Sequence, residues 1–241
     1  MLIKLENPAL LSKVIELLSE LVMDVKIKIN ESGLSIIAID PANVAMVSFH
    51  LPKNVFSQFE TGEEVLGVNL ENLKQILRRG GSGSSLILEK RENLLHIQIQ
   101  DRIKRNFTLN LIEIEGEERD MPDLEFSSKV ELNSIDLIAS IEDCAIVSDA
   151  CSFIIDSERF IIEAKGLNSA MSEFSGDESK IIAENCKARY SLEYLQKFMK
   201  GAKLCEKTIL NFANDHPLKI EFINENMHLS FILAPRVETE D

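Results

Sequence analysis

The sequence lacks the features on which several large classes of protein depend. No apolar run approaches the roughly 18 residues that a membrane-spanning helix needs, and the longest, such as Leu34–Ile39, are interrupted by serine. The opening residues contain no basic stretch followed by an apolar one, which argues against a secretory signal. The four cysteines form no CxxC pair, so we expect reduced intracellular thiols; they are Cys144, Cys151, Cys186 and Cys205.

Positive charge is also in short supply. Lys and Arg total 26 against 40 Asp and Glu, which gives a formal net charge of −14. This balance excludes a protein that binds nucleic acid over a uniformly basic surface. It leaves a local basic stripe open, because net charge does not report where the charges lie. With 241 residues, of which 45% are hydrophobic, the chain can form one large domain or two of about 120 residues.

An internal repeat decides between these two arrangements. Glu31–Phe49 resembles Asp156–Phe174, Leu70–Leu77 resembles Leu192–Met199, and Ser85–Ile97 resembles Thr208–Ile220. The three matches occur in the same order at nearly the same spacing, which is the pattern of a tandem duplication. We therefore predict a first domain over residues 1–112, a connector over 113–125 and a second domain over 126–241.

Each repeat shows the same order of helical and strand patterns. Amphipathic helices are predicted over Pro8–Val22, Leu70–Arg79 and Ser134–Ser148, the last with Ser134 as a possible N-cap. The strand patterns of the first repeat are Val25–Asn30, Leu34–Ile39, Val44–Leu51, Leu86–Lys90, Leu94–Gln100 and Arg105–Ile112. Tight turns rather than helical crossovers join most of them, so the fold class is α+β, a tandem duplication of an antiparallel-sheet plus two-helix unit.

Motifs for catalysis are missing. The histidines lie singly, with no metal-ligand spacing, and the sequence has no G-x-S-x-G nucleophile motif. The glycine-rich loop Gly80–Ser85 follows a helix and precedes a strand, the reverse of a phosphate-binding loop. We expect no catalytic residue, no metal and no cofactor. An enzyme on a duplicated α+β scaffold is kept as an alternative, which a cleft of convergent polar residues would support.

The basic residues concentrate on the second helix of each repeat. Lys74, Arg78 and Arg79 outweigh Glu71 on one, and three lysines outweigh Glu193 on the other. Ordinary solvated helix faces would also explain this. The first helix of the second repeat, in contrast, carries acids and no base.

Several segments together resemble one family. Ser32-Gly33-Leu34, Gly67–Leu77 and the ending Leu233–Val237 are similar to sliding clamps of the proliferating cell nuclear antigen (PCNA) family, best to its archaeal branch. The resemblance covers nearly the whole chain. It implies the DNA clamp fold and a closed trimeric ring around duplex DNA that tethers other proteins without catalysis.

The resemblance assigns roles to particular residues. Helices would face the pore, and the DNA-contact candidates are Lys13, Lys74, Arg78, Arg79, Lys197, Lys200 and Lys203. Because the helix at Ser134–Ser148 lacks bases, a subunit of a heterotrimeric clamp is the alternative to a homotrimer.

The acidic connector gains a second interpretation from the resemblance. Seven of its thirteen residues are acidic, yet it contains the apolar pair Met121-Pro122. In the family this segment lines a pocket for a short partner peptide, the PIP box. The pocket here would comprise Ile39, Val44, Met46, Met121, Pro122, Leu124, Pro217, Ile232, Ala234 and Pro235. Core packing is the alternative for its apolar members.

The resemblance also implies a trimer interface and a set of partners. The strand around Lys104, Arg105 and Phe107 would meet the strand that carries Met171, Glu173 and Phe174. Phe107 would be an apolar anchor, and Met171 and Phe174 would be its partners or simply core. The implied partners are duplex DNA, the clamp loader replication factor C, and DNA polymerase, flap endonuclease and DNA ligase through PIP-box peptides. No membrane is expected, and the location would be the cytoplasm and nucleoid of an archaeon, or the nucleus of a eukaryote.

Overall fold

The computed structural model describes residues 1–81, 83–115, 120–176 and 179–237. Within these residues the chain forms helices and antiparallel strands in two compact units. The four α-helices are α1 (Ala9–Leu18), α2 (Leu70–Leu77), α3 (Ser134–Val147) and α4 (Leu192–Ala202). None of the helices in these ranges is both long and apolar enough to cross a membrane.

The first unit comprises Met1–Pro41, Val47–Met121 and Glu225–His228. Its strands are β1 (Leu2–Leu5), β2 (Asp24–Asn30), β3 (Gly33–Ile39), most of β4 (Ala45–Pro52, of which Ala45 and Met46 belong to the other unit), β5 (Gln58–Glu60), β6 (Glu64–Asn69), β7 (Ser85–Arg91), β8 (Leu94–Gln100) and β9 (Lys104–Asn110). One sheet has the order β5-β1-β7-β8-β9, and in another β2 lies between β3 and β6. Helices α1 and α2 pack against each other.

The second unit comprises Ala42–Met46, Pro122–Asn224 and Leu229–Asp241. Its strands are β10 (Ser128–Asn133), β11 (Ala150–Asp156), β12 (Arg159–Lys165), β13 (Ser169–Phe174), β14 (Ser179–Ala183), β15 (Cys186–Ser191), β16 (Lys207–Phe212), β17 (Leu218–Asn224) and most of β18 (Met227–Leu233, of which Met227 and His228 belong to the other unit). A four-stranded sheet has the order β13-β12-β11-β15, and β14, β10, β16 and β17 pair in that order in another. Helices α3 and α4 pack against each other.

Alternating burial along the strands produces the cores of the two units. In β10, for example, Val130 and Leu132 are buried while Lys129 is exposed, because successive side chains point to opposite faces of a sheet. The second unit has an aromatic core around Phe153, whose ring centroid lies 5.5 Å from Phe160 and 5.4 Å from Tyr190. The Tyr190 hydroxyl donates to the His216 carbonyl at 2.8 Å, so this buried polar group is satisfied.

The α+β class, the repeat and most elements agree with the sequence predictions, but several boundaries were wrong. Helix α1 ends at Leu18 rather than Val22, because the chain turns at Ser19–Leu21. The residue before α3 is Asn133, and the predicted cap Ser134 instead pairs its hydroxyl with that of Thr208 at 2.8 Å. Helix α2 ends at Leu77, which leaves Arg78 as its C-cap.

Strands β1, β5 and β6 were not predicted. The first two have only 4 and 3 residues, too few to show a period. Strand β6 contains Gly67, where a Cβ atom would lie 2.0 Å from the Ile112 carbonyl oxygen, so glycine is required by a close backbone approach. The predicted connector 113–125 contains residues of both units, and its residues 116–119 lie outside the described part of the chain. The domain boundaries therefore stay a prediction.

Candidate functional site

The DNA-contact candidates of the first unit lie on α1, on α2 and at the end of α2. Leu70, Leu73 and Leu77 are buried, so the intervening polar positions of α2 face outward. Lys74 forms an ion pair with Glu71 one turn earlier, and the Arg78 guanidinium lies 2.5 Å from the Glu16 carboxylate of α1. Lys13 and Arg79 are exposed. The helix pair therefore presents four bases, of which two are already paired with acids.

Helix α4 repeats this arrangement in the second unit. Leu192, Leu195 and Phe198 are buried, and Lys197, Lys200 and Lys203 lie on the other faces. The Lys197 ammonium is 2.9 Å from Glu193 and 5.2 Å from the centre of the Tyr194 ring. At the spacing that aligns Leu70 with Leu192, Arg78 and Lys200 occupy equivalent positions of the duplicated unit, whereas Lys74 and Lys197 are offset from each other by one residue.

Helix α3 differs from the other three. Its outward positions are Ile135 and Ile146, which are 73% and 81% exposed, together with the exposed acids Glu142 and Asp143. No base occurs anywhere in Ser134–Val147. This surface offers nothing that attracts a polyanion.

The ten peptide-pocket candidates are divided between the two units. Ile39 and Met121 belong to the first unit, and the other eight belong to the second. Within the second unit, the Ala234 amide donates to the Val44 carbonyl at 2.9 Å, so these two candidates adjoin. Most of the candidates are partly exposed, but Ile232 is buried and packs in the core as well. Pro122 is fully on the surface, and Met46, Leu124, Pro217 and Pro235 are half-buried.

The interface candidates lie on two sheet edges. Within the described residues, β9 pairs with β8 alone and β13 pairs with β12 alone. Lys104 is exposed and Phe107 is half-buried on β9, and Met171 on β13 is 63% exposed. Each edge therefore has unpaired backbone groups beside an apolar side chain, as an edge that pairs with another chain would have.

Three of the six interface candidates already have neighbours within their own unit. Phe174 is only 6% exposed and stacks on Phe160 at 5.6 Å, so its side chain belongs to the core rather than to a free surface. Arg105 binds Asp101 at 2.8 Å, and Glu173 binds Arg159 at 3.2 Å. The opposite charges on the two edges are thus partly neutralised before any association.

Among the described residues, the titratable groups show no arrangement typical of an active site. In the described ranges, no three His, Cys, Asp or Glu side chains come together in a group that could hold a metal ion. All four cysteines are free thiols. Contact with Cys144 and burial raise the pKa of the Cys151 thiol, and burial raises that of Tyr190, so neither is an activated nucleophile. The pKa of Asp149 is lowered chiefly by its hydrogen bond from Arg236, which is an ordinary surface ion pair.

One feature of the second unit was missed by the sequence reasoning. Lys187 and Arg189 of β15 and Arg236 line a cavity of about 390 Å³. The alternation Lys-Ala-Arg in a strand indicates two bases on one face, but the third base lies 47 positions further along the chain.

Comparison with solved structures identifies the fold. The chain matches a PCNA from Thermococcus kodakaraensis with a TM-score of 0.91 and 23% identity, covering 98% of this chain and 99% of that one. A PCNA from Entamoeba histolytica matches with a TM-score of 0.90 and 24% identity, covering 98% of both. The architecture is therefore that of a sliding clamp.

Sequence comparison identifies the family. The model of the PCNA N-terminal domain matches residues 1–119, and that of the PCNA C-terminal domain matches residues 120–237. A DNA polymerase sliding clamp of Thermococcus onnurineus is 37% identical over 228 residues, 91% of this chain and 92% of its own. One from Pyrococcus horikoshii is 34% identical over 235 residues, 94% of each chain. The chain belongs to the proliferating cell nuclear antigen family, and the predicted archaeal type is confirmed.

Proposed function

We propose that three copies of this chain close into a ring around duplex DNA and hold DNA polymerase to its template. The observation that carries the proposal is the placement of positive charge. In a chain of net charge −14, the two second helices and their ends place Arg78, Arg79, Lys200 and Lys203 at exposed positions, with Lys74 and Lys197 partly exposed beside them. They are joined by Lys13 of α1.

The physical role of these bases follows from what a sliding ring needs. Phosphate contacts attract DNA without reading its sequence, and each neutralised phosphate contributes about −0.9 to the slope of log affinity against log salt. Three of the seven bases are weakened by the nearby acids Glu71, Glu16 and Glu193. Such attraction is weak enough to permit sliding, while the acidic remainder of the surface repels DNA.

Ring closure requires two different faces that fit each other. We assign these faces to β9, with Lys104, Arg105 and Phe107, and to β13, with Met171 and Glu173, while Phe174 supports β13 from the core. Phe107 lines a depression of about 240 Å³ with His96 and Thr108, which can receive an apolar side chain from a neighbouring copy. Pairing of the two edges would satisfy the backbone groups of both.

We assign partner binding to the ten pocket residues around Met121, Ile232 and Ala234. They would receive the PIP-box peptides of DNA polymerase, flap endonuclease and DNA ligase, while replication factor C would load the ring. The chain itself would be non-catalytic, as the sliding clamps of this family are. It would act in the nucleoid of an archaeon or in the nucleus of a eukaryote. An apolar anchor residue in such a pocket supplies most of the binding free energy, with extended peptide on either side.

The second candidate is a subunit of a heterotrimeric ring. The base-free surface of α3 favours it, because other subunits would then supply the missing charge. A solved complex of PCNA2 and PCNA3 from Sulfolobus tokodaii, similar in fold at a TM-score of 0.89, shows that two different clamp subunits can assemble.

Light scattering of the purified chain at several concentrations separates the two candidates. A mass of three chains supports the homotrimer. A mass of one chain at every concentration contradicts it and supports the heteromeric ring.

Retention on nicked circular DNA, with linear DNA as the comparison, tests the function. After loading, the chain should remain on the circle and slide off the linear form. The double variant Arg79→Glu, Lys200→Glu should lose retention, whereas the control Lys180→Glu, which reverses an exposed base on β14, should keep it. Equal retention on both DNA forms would refute topological binding.

Calorimetry with a PIP-box peptide tests the pocket. Met121→Ala should weaken binding at least about fivefold, since truncation of a central apolar contact costs more than about 1 kcal/mol. Ile232→Val tests a second pocket residue. The substitution is conservative because a larger truncation of this buried residue would also destabilise the core. The exposed Met23→Ala is the matched control, and native affinity in Met121→Ala would remove the pocket assignment.

A further inference from the structure

The second unit contains a cationic cavity that the proposed function does not use. It has a volume of about 390 Å³ and is lined by Lys187, Arg189, Asn214, Asp215, Pro235 and Arg236, among others. We call it the basic cavity. A smaller neighbouring cavity of about 100 Å³ shares Lys187 and Arg189.

Backbone hydrogen bonds fix the walls of the basic cavity. The Arg236 amide donates to the Arg189 carbonyl at 2.7 Å, which ties the segment after β18 to β15. The Asp215 amide donates to the Lys187 carbonyl at 3.0 Å, and the Lys187 amide donates to the Asn214 side chain at 2.9 Å. Lys187 and Arg189 are thus held on one face of β15, and Arg236 lies beside that strand.

The charge balance of the cavity is the reverse of that of the chain. Its lining has three bases and one acid, Asp215, whereas the chain as a whole carries −14. Asp149, an acid outside the lining, partly neutralises the charge of Arg236, because the two side chains form an ion pair of 2.7 Å. Among the described residues, the lining and Asp149 together sum to one net positive charge, and guanidinium groups such as those in the lining bind carboxylates.

Position indicates where such a carboxylate would come from. Pro235 lines the basic cavity and is also one of the proposed peptide-pocket residues, and its neighbour Ala234 is bonded to Val44 of the same pocket. A peptide anchored in that pocket would continue past Pro235 into reach of the three bases. This continuity distinguishes the site from an isolated basic patch.

We propose that the basic cavity binds an acidic side chain in the extended part of a partner peptide, and so selects partners whose apolar anchor is flanked by Asp or Glu. The inference rests on the proposed peptide pocket and names a specificity determinant for it. A peptide is favoured over nucleic acid because the two resident acids, Asp149 and Asp215, would repel a continuous phosphate chain while leaving room for single carboxylates.

The experiment uses two fluorescent peptides with the same apolar anchor. One carries three glutamates in the extended part before the anchor, and the other carries three glutamines there. Binding of both is measured to the whole chain, to the double variant Lys187→Gln, Arg189→Gln, and to the control Lys180→Gln, which removes an exposed base from β14. Circular dichroism melting verifies that the double variant is folded, and Lys187→Gln alone serves as the milder variant.

For the unaltered chain and the control, the glutamate peptide should bind about tenfold more tightly than the glutamine peptide in low salt, and the advantage should shrink as salt rises. In the double variant the advantage should fall below about twofold, with the affinity of the glutamine peptide unchanged.

Three results would overturn the proposal. They are equal binding of the two peptides to the unaltered chain, an advantage that survives in the double variant, and displacement of the glutamate peptide by a short duplex DNA that loses its own binding in the double variant. If neither peptide binds the unaltered chain, the peptide pocket itself fails, which is a distinct result that removes the proposed function and this inference together.

Discussion

The guanidinium of Arg78 lies 2.5 Å from the carboxylate of Glu16 and joins the end of α2 to α1. Both side chains are about half exposed, so the pair adds little to stability, on the order of 0.2–1 kcal/mol. Its larger effect is on charge. One of the bases proposed to meet DNA is held by an acid of the same subunit, and a phosphate has to compete with that acid.

Glu16→Gln should therefore strengthen DNA binding. The substitution removes a negative charge and releases Arg78, and we expect the affinity for a short duplex to rise about twofold to fivefold in low salt. Fluorescence anisotropy measures this directly. Glu131→Gln, which removes an acid paired with Lys180 of β14, is the control and should leave binding unchanged. Unaltered affinity in Glu16→Gln would mean that α1 and α2 do not face the DNA.

Phe107→Ala and Met171→Ala should each weaken self-association. Each removes an apolar side chain beside an unpaired strand edge, and truncation of such a contact costs more than about 1 kcal/mol when it lies at the centre of an interface. Sedimentation at several concentrations should show that each variant trimer dissociates at concentrations where the unaltered trimer is still intact.

The control for self-association is Met23→Ala, which truncates an equally exposed methionine outside both edge strands. A trimer that is as stable in Phe107→Ala and Met171→Ala as in this control would refute the assignment of β9 and β13 to the interface.

Gly201→Ala should destabilise the second unit although alanine favours helices by about 1 kcal/mol. The added Cβ would lie 2.9 Å from the ring of Phe222 and 3.0 Å from the Leu229 side chain, and both are fully buried. Crowding of this kind costs about 1–3 kcal/mol, so we expect a net loss of about 1 kcal/mol in the free energy of unfolding. Urea denaturation tests this, with Gly62→Ala, whose Cβ meets nothing within 4 Å, as the control that should not lose stability.

His50 should make the first unit less stable in acid. Burial, and then the nearby charge of His228, lower the pKa of His50 below its ordinary value of 6.5. The unfolded chain therefore takes up a proton at higher pH than the folded chain does. This contribution is present in full above about pH 6.5 and is lost as the pH falls through the lowered pKa.

The difference between the unaltered chain and His50→Gln isolates the effect of this one group. The free energy of unfolding should fall more steeply from pH 7.5 to 5.5 in the unaltered chain than in the variant. Parallel pH dependences would show that His50 has the same pKa in both states.

The sequence predicts the repeated part of the fold well because the repeat carries long periodic patterns. Helix α3 and strand β8, for example, have the predicted bounds to within one residue. Strands β1 and β5 were not predicted, because their 4 and 3 residues are too few to show a pattern. They are strands because they pair with segments far along the chain.

The candidate site is less accessible to sequence reasoning, for a different reason. Whether Phe174 packs inside its unit or faces a neighbour depends on Phe160, and only the structure shows the stack between them. The partners of Arg105 and Glu173 are equally invisible, because Asp101 and Arg159 are two of many acids and bases nearby in the sequence. The basic cavity combines a strand with a distant C-terminal segment, and no local pattern connects them.

The two unlike edges, β9 and β13, have a consequence for how the proposed ring would be opened. Three copies joined through such edges contain three identical joints, because every copy contributes one edge of each kind. Separating a single joint would break one strand pairing and leave the other two to keep the subunits together. DNA could then enter without disassembly, and a loading machine would need to act at only one joint, with all three equally suitable.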